Sequence, residues 1–324
     1  MYKFHVAPEK ELTEYRNVIV DHLTGIIVDE TGKLVVEQAD EALLWLPEAI
    51  FRTTRAGSDQ DNEMRVRQLW LQRLARRLHD ERDSFEELDP EVNHISMLHP
   101  FGWYAYGHLF DSVQRLYHAL GTVPAPWKVL HSRADRVVDF SRHMNFLGVA
   151  QDQLIHVARP LRVPRLWVSP WQERPANFNP EIYDWIYRRY TGSVQQTRPL
   201  RLYLSRNHVK PGERGVSNEA EVVAALKEKG FRVLTGKEPL GSIVGAFHNA
   251  EMIVAPHGSL LANCMFCKPS CRVLEFCPDN RRDYSFQSKL KKMSDYRHRL
   301  VPADEKYNIE IPLGEVMAFV DEQA

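Results

Sequence analysis

The sequence predicts an α/β protein of two domains, the second built on a parallel, doubly wound sheet. Strand-like and amphipathic helical runs alternate from residue 200 onward, the pattern of parallel strands joined by crossover helices. Near its middle the chain carries RPLRVPRLWVSPWQERPANFNP, with five prolines and little periodicity, as junctions between domains do. The length of 324 residues, 44% hydrophobic and 26% charged, suffices for two folded domains and is too apolar for a disordered chain. The junction divides residues 1–178 from residues 179–324.

In the first half, NVIVDHLTGIIVDETGKLVVEQ alternates apolar and polar residues and is split by Gly25 and by Thr31-Gly32, predicting short antiparallel strands. Residues 61–80 read as a helix with Leu71, Leu74, Ala75 and Leu78 on one face. Its other faces carry Arg65, Arg67, Arg73, Arg76 and Arg77, either a solvated surface or one resting peripherally on an anionic membrane surface. HISMLHPFGWYAYG is a strand and an aromatic, glycine-rich loop leading into a helix over 108–120. WKVLHS and QLIHVA are further strands.

In the second half, Asn179-Pro180-Glu181 starts a helix, proline standing where its missing N–H costs nothing. RLYLS is a strand, and residues 219–229 are a helix with Asn218 and Glu221 spaced as a capping box. FRVLT is a strand, 241–249 a helix, MIVAP a strand, 260–266 a helix and RVLEFC the last strand. PLGEVMAFV closes the chain as an amphipathic helix.

A net charge of −1 argues against nucleic acid as a partner, since phosphate binding wants a basic excess. The opening MYKFHVAPEK has no apolar signal region, and ALLWLPEAIF is broken by Pro47 and Glu48 and too short to span a bilayer. A cytoplasmic protein is expected. The four cysteines, Cys264, Cys267, Cys271 and Cys277, lack the paired knuckles of a zinc ribbon. They read as small apolar residues in a reducing compartment.

The chemistry concentrates at VAPHGSLLANCMF. Ligands of a doubly wound sheet bind beyond the carboxyl ends of its strands, where His257, Gly258 and Ser259 fall. A helix starting there favours an anion, most naturally a phosphate or diphosphate. Gly258 permits close backbone approach, His257 can donate to a phosphate oxygen or sugar hydroxyl, and Asn263 lies one turn inside. No G-x-G-x-x-G follows any strand, which weakens a nicotinamide or flavin reading.

MIVAPHGSLLANCMFCKPSCRVLEFCP resembles the signature of family 61 glycosyltransferases: an apolar strand, a His-Gly pair, a small residue, Asn, Phe, Pro, and an apolar strand ending in Glu. RLYLSR upstream is similar to the family's other marker, a strand ending in Ser-Arg, and GWYAYGHLFDSVQRL resembles its tyrosine- and histidine-containing helix start. The resemblance implies two Rossmann-like domains of the glycosyltransferase B type with the active site in the cleft between them. It implies an inverting, metal-independent transfer from a nucleotide sugar, UDP-linked, to a glycan or glycolipid acceptor, with no cofactor. Among bacterial members it points to capsule or lipopolysaccharide assembly.

On that reading Arg206 lies on the same carboxyl-end rim as His257, its planar fork suited to a diphosphate. Glu275 either accepts hydrogen bonds from ribose hydroxyls or pairs with a nearby cation. Transfer needs a base for the acceptor hydroxyl. On the helix over 108–120, Leu109, Val113, Leu116 and Leu120 form an apolar stripe opposite His108, Asp111, Arg115 and His118. His108 and Asp111, in the first turn, are the candidate base and its partner. Two alternatives stand beside this one: a non-catalytic nucleotide-sugar-binding module, and a metal-dependent transferase using Asp59 and Asp61 of DQD.

Overall fold

The computed structural model describes residues 12–22, 25–35, 60–98, 109–131, 140–169, 180–206, 214–280, 290 and 292–322, with 60–68 and 109–112 described as backbone only. The chain divides into two compact units, Met1–Trp171 and Gln172–Ala324. The division falls inside the proline-rich stretch.

The first unit holds strands β1 (Thr13–Val20), β2 (Ile27–Val28), β3 (Glu86–Glu87), β4 (Asn93–Ser96), β5 (Trp127–His131), β6 (Leu154–His156) and β7 (Leu161–Val168). They form one mixed sheet in the order β2-β1-β7-β4-β5-β6, with β3 also on β7. β1 runs antiparallel to β2 and β7, and the other pairings are parallel. Helices α1 (Gln60–Asp80), α2 (Leu109–Ala119) and α3 (Phe140–Leu147) complete its long elements. α1 buries the expected face, packing Leu71, Leu74, Ala75 and Leu78 against Ile19, Ile26 and Val28.

Two expectations for this unit need correction. β7 lies within the stretch read as a junction, yet it sits inside the sheet between β1 and β4. Its Pro164 is tolerated because the ladder skips it. β1 pairs Arg16 with Arg165 and Val18 with Val163, and Asn17, opposite Pro164, takes a φ of 51°. β3 pairs below that point and β4 above it, so no ladder hydrogen bond is demanded of the proline. On α2, Val113 and Leu116 are buried as expected, but Gln114 and Arg115 are buried too. Ser169 Oγ donates to the Arg115 carbonyl oxygen. At Arg115 the helix is therefore enclosed on the side read as polar.

The second unit is simpler. Strands β8 (Leu200–Leu204), β9 (Phe231–Leu234), β10 (Ala250–Pro256), β11 (Arg272–Pro278) and β12 (Asp295–Val301) form a sheet in the order β12-β11-β10-β8-β9. Every pairing is parallel. Its helices are α4 (Pro180–Thr191), α5 (Glu219–Glu228), α6 (Leu240–His248) and α7 (Leu313–Asp321). On one face Tyr203, Met252, Val254, Leu274 and Phe276 pack against Val222 and Leu226 of α5 and Val316, Phe319 and Val320 of α7. The alternate residues Leu202, Ile253, Ala255 and Val273 are equally buried. That leaves α4, α6 and a 3-10 helix (Ser259–Phe266) to cover the other face, with Tyr190 stacked on Phe266 at 4.7 Å.

RVLEFC is not the last strand, because β12 follows it on the sheet edge. The run expected as an α-helix over 260–266 is the 3-10 helix. Asn218 makes no side-chain cap on α5. Its Nδ2 instead donates to the Ile311 carbonyl at 2.9 Å, and its Oδ1 accepts from the Ile311 N–H at 3.0 Å.

Candidate functional site

The strand order of the second unit reverses once. From β8 the chain crosses to β9 on one side, then returns to place β10 on the other. Between β8 and β10, neighbouring connections therefore leave in opposite directions, and a crevice opens at the carboxyl ends of the strands. Arg206 stands two residues past the end of β8, and His257-Gly258 directly past the end of β10.

Arg206 bridges those two ends. Its Nη1 donates to the His257 carbonyl oxygen. Its backbone N–H approaches Glu219 Oε1 at 3.4 Å, and the same oxygen accepts from the Tyr203 hydroxyl at 3.1 Å. A Cβ on Gly258 would collide with Arg206 Nη1 and lie 3.4 Å from its Cζ. Gly258 has a φ of 177°, extended backbone open to any residue. Its missing side chain therefore serves the guanidinium that lies against it.

Behind this corner lies Glu275, 1% exposed. The parallel register sets it beside Ala255 on β10 and His298 on β12, so the three project from one face of the sheet, with His257 two residues beyond Ala255. His257 Nδ1 lies 2.7 Å from Glu275 Oε1, and His298 Nδ1 lies 2.9 Å from Oε2. The Tyr296 hydroxyl also donates to Oε2. Burial would raise the Glu275 pKa, but the hydrogen bonds from His257, His298 and Tyr296 outweigh it and hold the carboxyl below its usual range. Burial, then the Glu275 charge, pushes the Tyr296 phenol up, so it donates and does not ionise.

Of the residues singled out in the sequence, Arg206, His257 and Gly258 come together at the crevice, with Glu275 behind. Ser259 is exposed and opens the 3-10 helix. Asn263 is fully buried, and its Nδ2 donates to the Leu260 carbonyl at 3.0 Å. His108 and Asp59 lie outside the described residues. Asp111 belongs to α2 and Asp61 to α1, both described as backbone only. The four cysteines are buried, and none is in a disulfide. Among the described residues no group of three or more His, Cys, Asp or Glu could hold a metal ion, and no helix is long and apolar enough to cross a membrane.

Sequence reasoning missed Tyr296 and His298 because it missed their strand. DYRHRLV alternates Tyr296 and His298 with Arg297 and Arg299, a short period of two that is the one local sign of the strand. It also missed Glu238, which holds the turn after β9 on the same rim by accepting from the N–H groups of Thr235 and Gly236 at 3.0 and 2.8 Å. The family model described as Glycosyltransferase 61 matches residues 106–274, just over half of the 324 residues. No curated protein matches the chain.

Proposed function

The chain belongs to the glycosyltransferase 61 family, and from that premise we propose that it moves a sugar from a UDP-linked donor to a glycan or glycolipid acceptor. In this reading the donor diphosphate binds at the β8/β10 crevice. One observation carries it: the Arg206 guanidinium, drawn from the end of β8, rests on the His257-Gly258 peptide at the end of β10. As the bond from the anomeric carbon to the diphosphate oxygen breaks, negative charge gathers on the departing nucleotide. Fixed positive groups can stabilise that charge without a metal. Arg206 supplies a planar fork, and the backbone opening the 3-10 helix at Ser259 supplies N–H groups. His257 contributes a ring donor. The architecture is of the B type, the transfer inverts the anomeric centre, and no metal takes part.

The proton of the acceptor hydroxyl goes to His108, or to Asp111 one turn on. Imidazole titrates near neutrality, where a catalytic base must lose and regain its proton, and this favours His108. His108→Ala should lower kcat by about two orders of magnitude and leave UDP affinity nearly intact. Normal turnover in that variant would pass the role to Asp111. The product is a growing surface glycan, of capsule or lipopolysaccharide type, made on the cytoplasmic side by a protein whose α1 arginines can rest on a membrane surface.

A panel of nucleotide sugars screened by thermal shift tests the proposal, because a ligand held by the native state raises apparent stability. A UDP-sugar should raise the midpoint and be turned over with release of UDP. Binding without transfer or hydrolysis would mean a nucleotide-sugar-binding module. A panel with no binder would refute the donor site.

A further inference from the structure

We propose that Glu275 is a positioning residue that aims His257 at the donor diphosphate, held in that role by Tyr296 and His298 of β12. The inference rests on the donor placement above and takes Glu275 out of contact with the sugar. Both carboxylate oxygens are engaged by protein donors: Oε1 by His257, and Oε2 by His298 and Tyr296. At 1% exposure almost none of Glu275 meets solvent, so a ribose hydroxyl would have to displace one of these partners. The register explains how the set assembles. Glu275 and His298 are direct cross-strand neighbours, and Tyr296 lies one same-face position earlier, beside Val273. Strands β10, β11 and β12 thus lay four polar side chains in a line running from the sheet edge to the crevice.

What this line does is fix one ring. The hydrogen bond at Nδ1 pins the orientation of His257 and turns its Nε2 edge away from the carboxylate. The Glu275 charge favours the ring form with a proton on both nitrogens, in which Nε2 is a donor. A donor is what a phosphate oxygen requires. The consequence runs against simple Coulomb expectation. Glu275 is an anion close to an anion site, and its removal should weaken diphosphate binding because it releases and discharges the ring that makes the contact.

UDP affinity, measured by calorimetry on the full chain, tests this. Glu275→Gln should bind UDP about tenfold more weakly than the unaltered protein, even though a negative charge has been removed. Tyr296→Phe and His298→Asn keep the carboxylate and should weaken UDP by about two- to fivefold. In each variant the donor KM should rise by a larger factor than kcat falls. A role confined to stability would not move the pH profile. Among the described residues, the charged and titratable groups against His257 and its partners include Arg206 from the end of β8, Glu275 from β11 and Tyr296 and His298 from β12, with Glu219 of α5 beside Arg206. The loss of UDP affinity on raising pH should begin at lower pH in Glu275→Gln than in the unaltered protein. The ligand's own phosphate ionisation is common to both proteins and cancels in that comparison. Unchanged or tighter UDP binding in a folded Glu275→Gln overturns the proposal. If that variant does not fold, unchanged affinity in both Tyr296→Phe and His298→Asn overturns it equally. Arg206→Ala separates the two layers. If it binds UDP normally, the donor placement has failed. If it binds weakly while the Glu275 and β12 variants bind normally, only the positioning role has failed.

Discussion

Gly258 owes its place to Arg206. Its backbone is extended and would accept any residue, but the space where a Cβ would stand is filled by the guanidinium. Gly258→Ala should therefore leave the fold intact, since the clashing atom is the far end of a flexible side chain, and still damage the site by pushing Arg206 aside. We expect a thermal midpoint within about 2 °C of the unaltered protein and UDP binding weaker by about 1–2 kcal/mol, read by calorimetry. UDP binding at full strength in this variant would show that Arg206 need not lie on the His257-Gly258 peptide. This corner was legible in the sequence because a histidine and a glycine after an apolar strand have no core role to play. Glu275 was legible only as a carboxylate at a strand end. Two of its three partners come from β12, and no local pattern around Glu275 announces which distant strand will lie beside it.

The elements that sequence patterning found are those whose two faces differ. α1, α6 and α7 each bury the apolar stripe their spacing predicts. β7 and β12 went unrecognised for opposite reasons. β7 contains a proline that ordinarily argues against an interior strand, and only the skipped ladder position beside Asn17 makes it tolerable. β12 is an edge strand whose outer half is charged, as edges often are, so its apolar signal is weak. Asn218 shows how a correct spacing can serve a different end. Placed as a cap for α5, it instead clamps the Ile311 backbone through both side-chain atoms and so ties the start of α5 to the segment that leads into α7. Asn218→Ala should destabilise the second unit by about 1–3 kcal/mol, the cost of leaving backbone groups unpaired. Asn218→Asp, which keeps the acceptor and loses the donor, should cost an intermediate amount. Urea denaturation followed by a probe within residues 214–322 would read both. A loss of only a few tenths in Asn218→Ala would mean that water replaces the clamp.

At the scale of the whole molecule the first unit should lose stability in acid. Burial holds the His143 pKa down at about 3. Burial, then the nearby His156, holds His131 at about 4. Both stay neutral in the folded first unit but take up protons in the unfolded chain below about pH 6.5. The unfolded state thus binds more protons, and stability present above pH 6.5 is lost as pH falls toward 4. A double change, His131→Phe with His143→Leu, should flatten that slope in urea titrations at pH 7 and 5. An unaltered slope would place the acid sensitivity elsewhere. Turnover should also survive EDTA, and an Asp59→Asn/Asp61→Asn double change should leave the rate within about threefold, as expected for residues outside the chemistry. Chelation that abolishes turnover, with a divalent ion restoring it, would contradict the metal-free reading.

The central claim is that a fixed arginine at the β8/β10 crevice does the work of a metal on the donor diphosphate, and calorimetry of UDP binding in the presence of EDTA tests it most directly. The unaltered protein should bind UDP under chelation. Arg206→Ala should lose about 2–4 kcal/mol, a factor of roughly 30 to 1,000 in affinity. Arg206→Lys should recover only part of it, because a point charge cannot reproduce the planar fork. UDP affinity unchanged in Arg206→Ala would contradict the account.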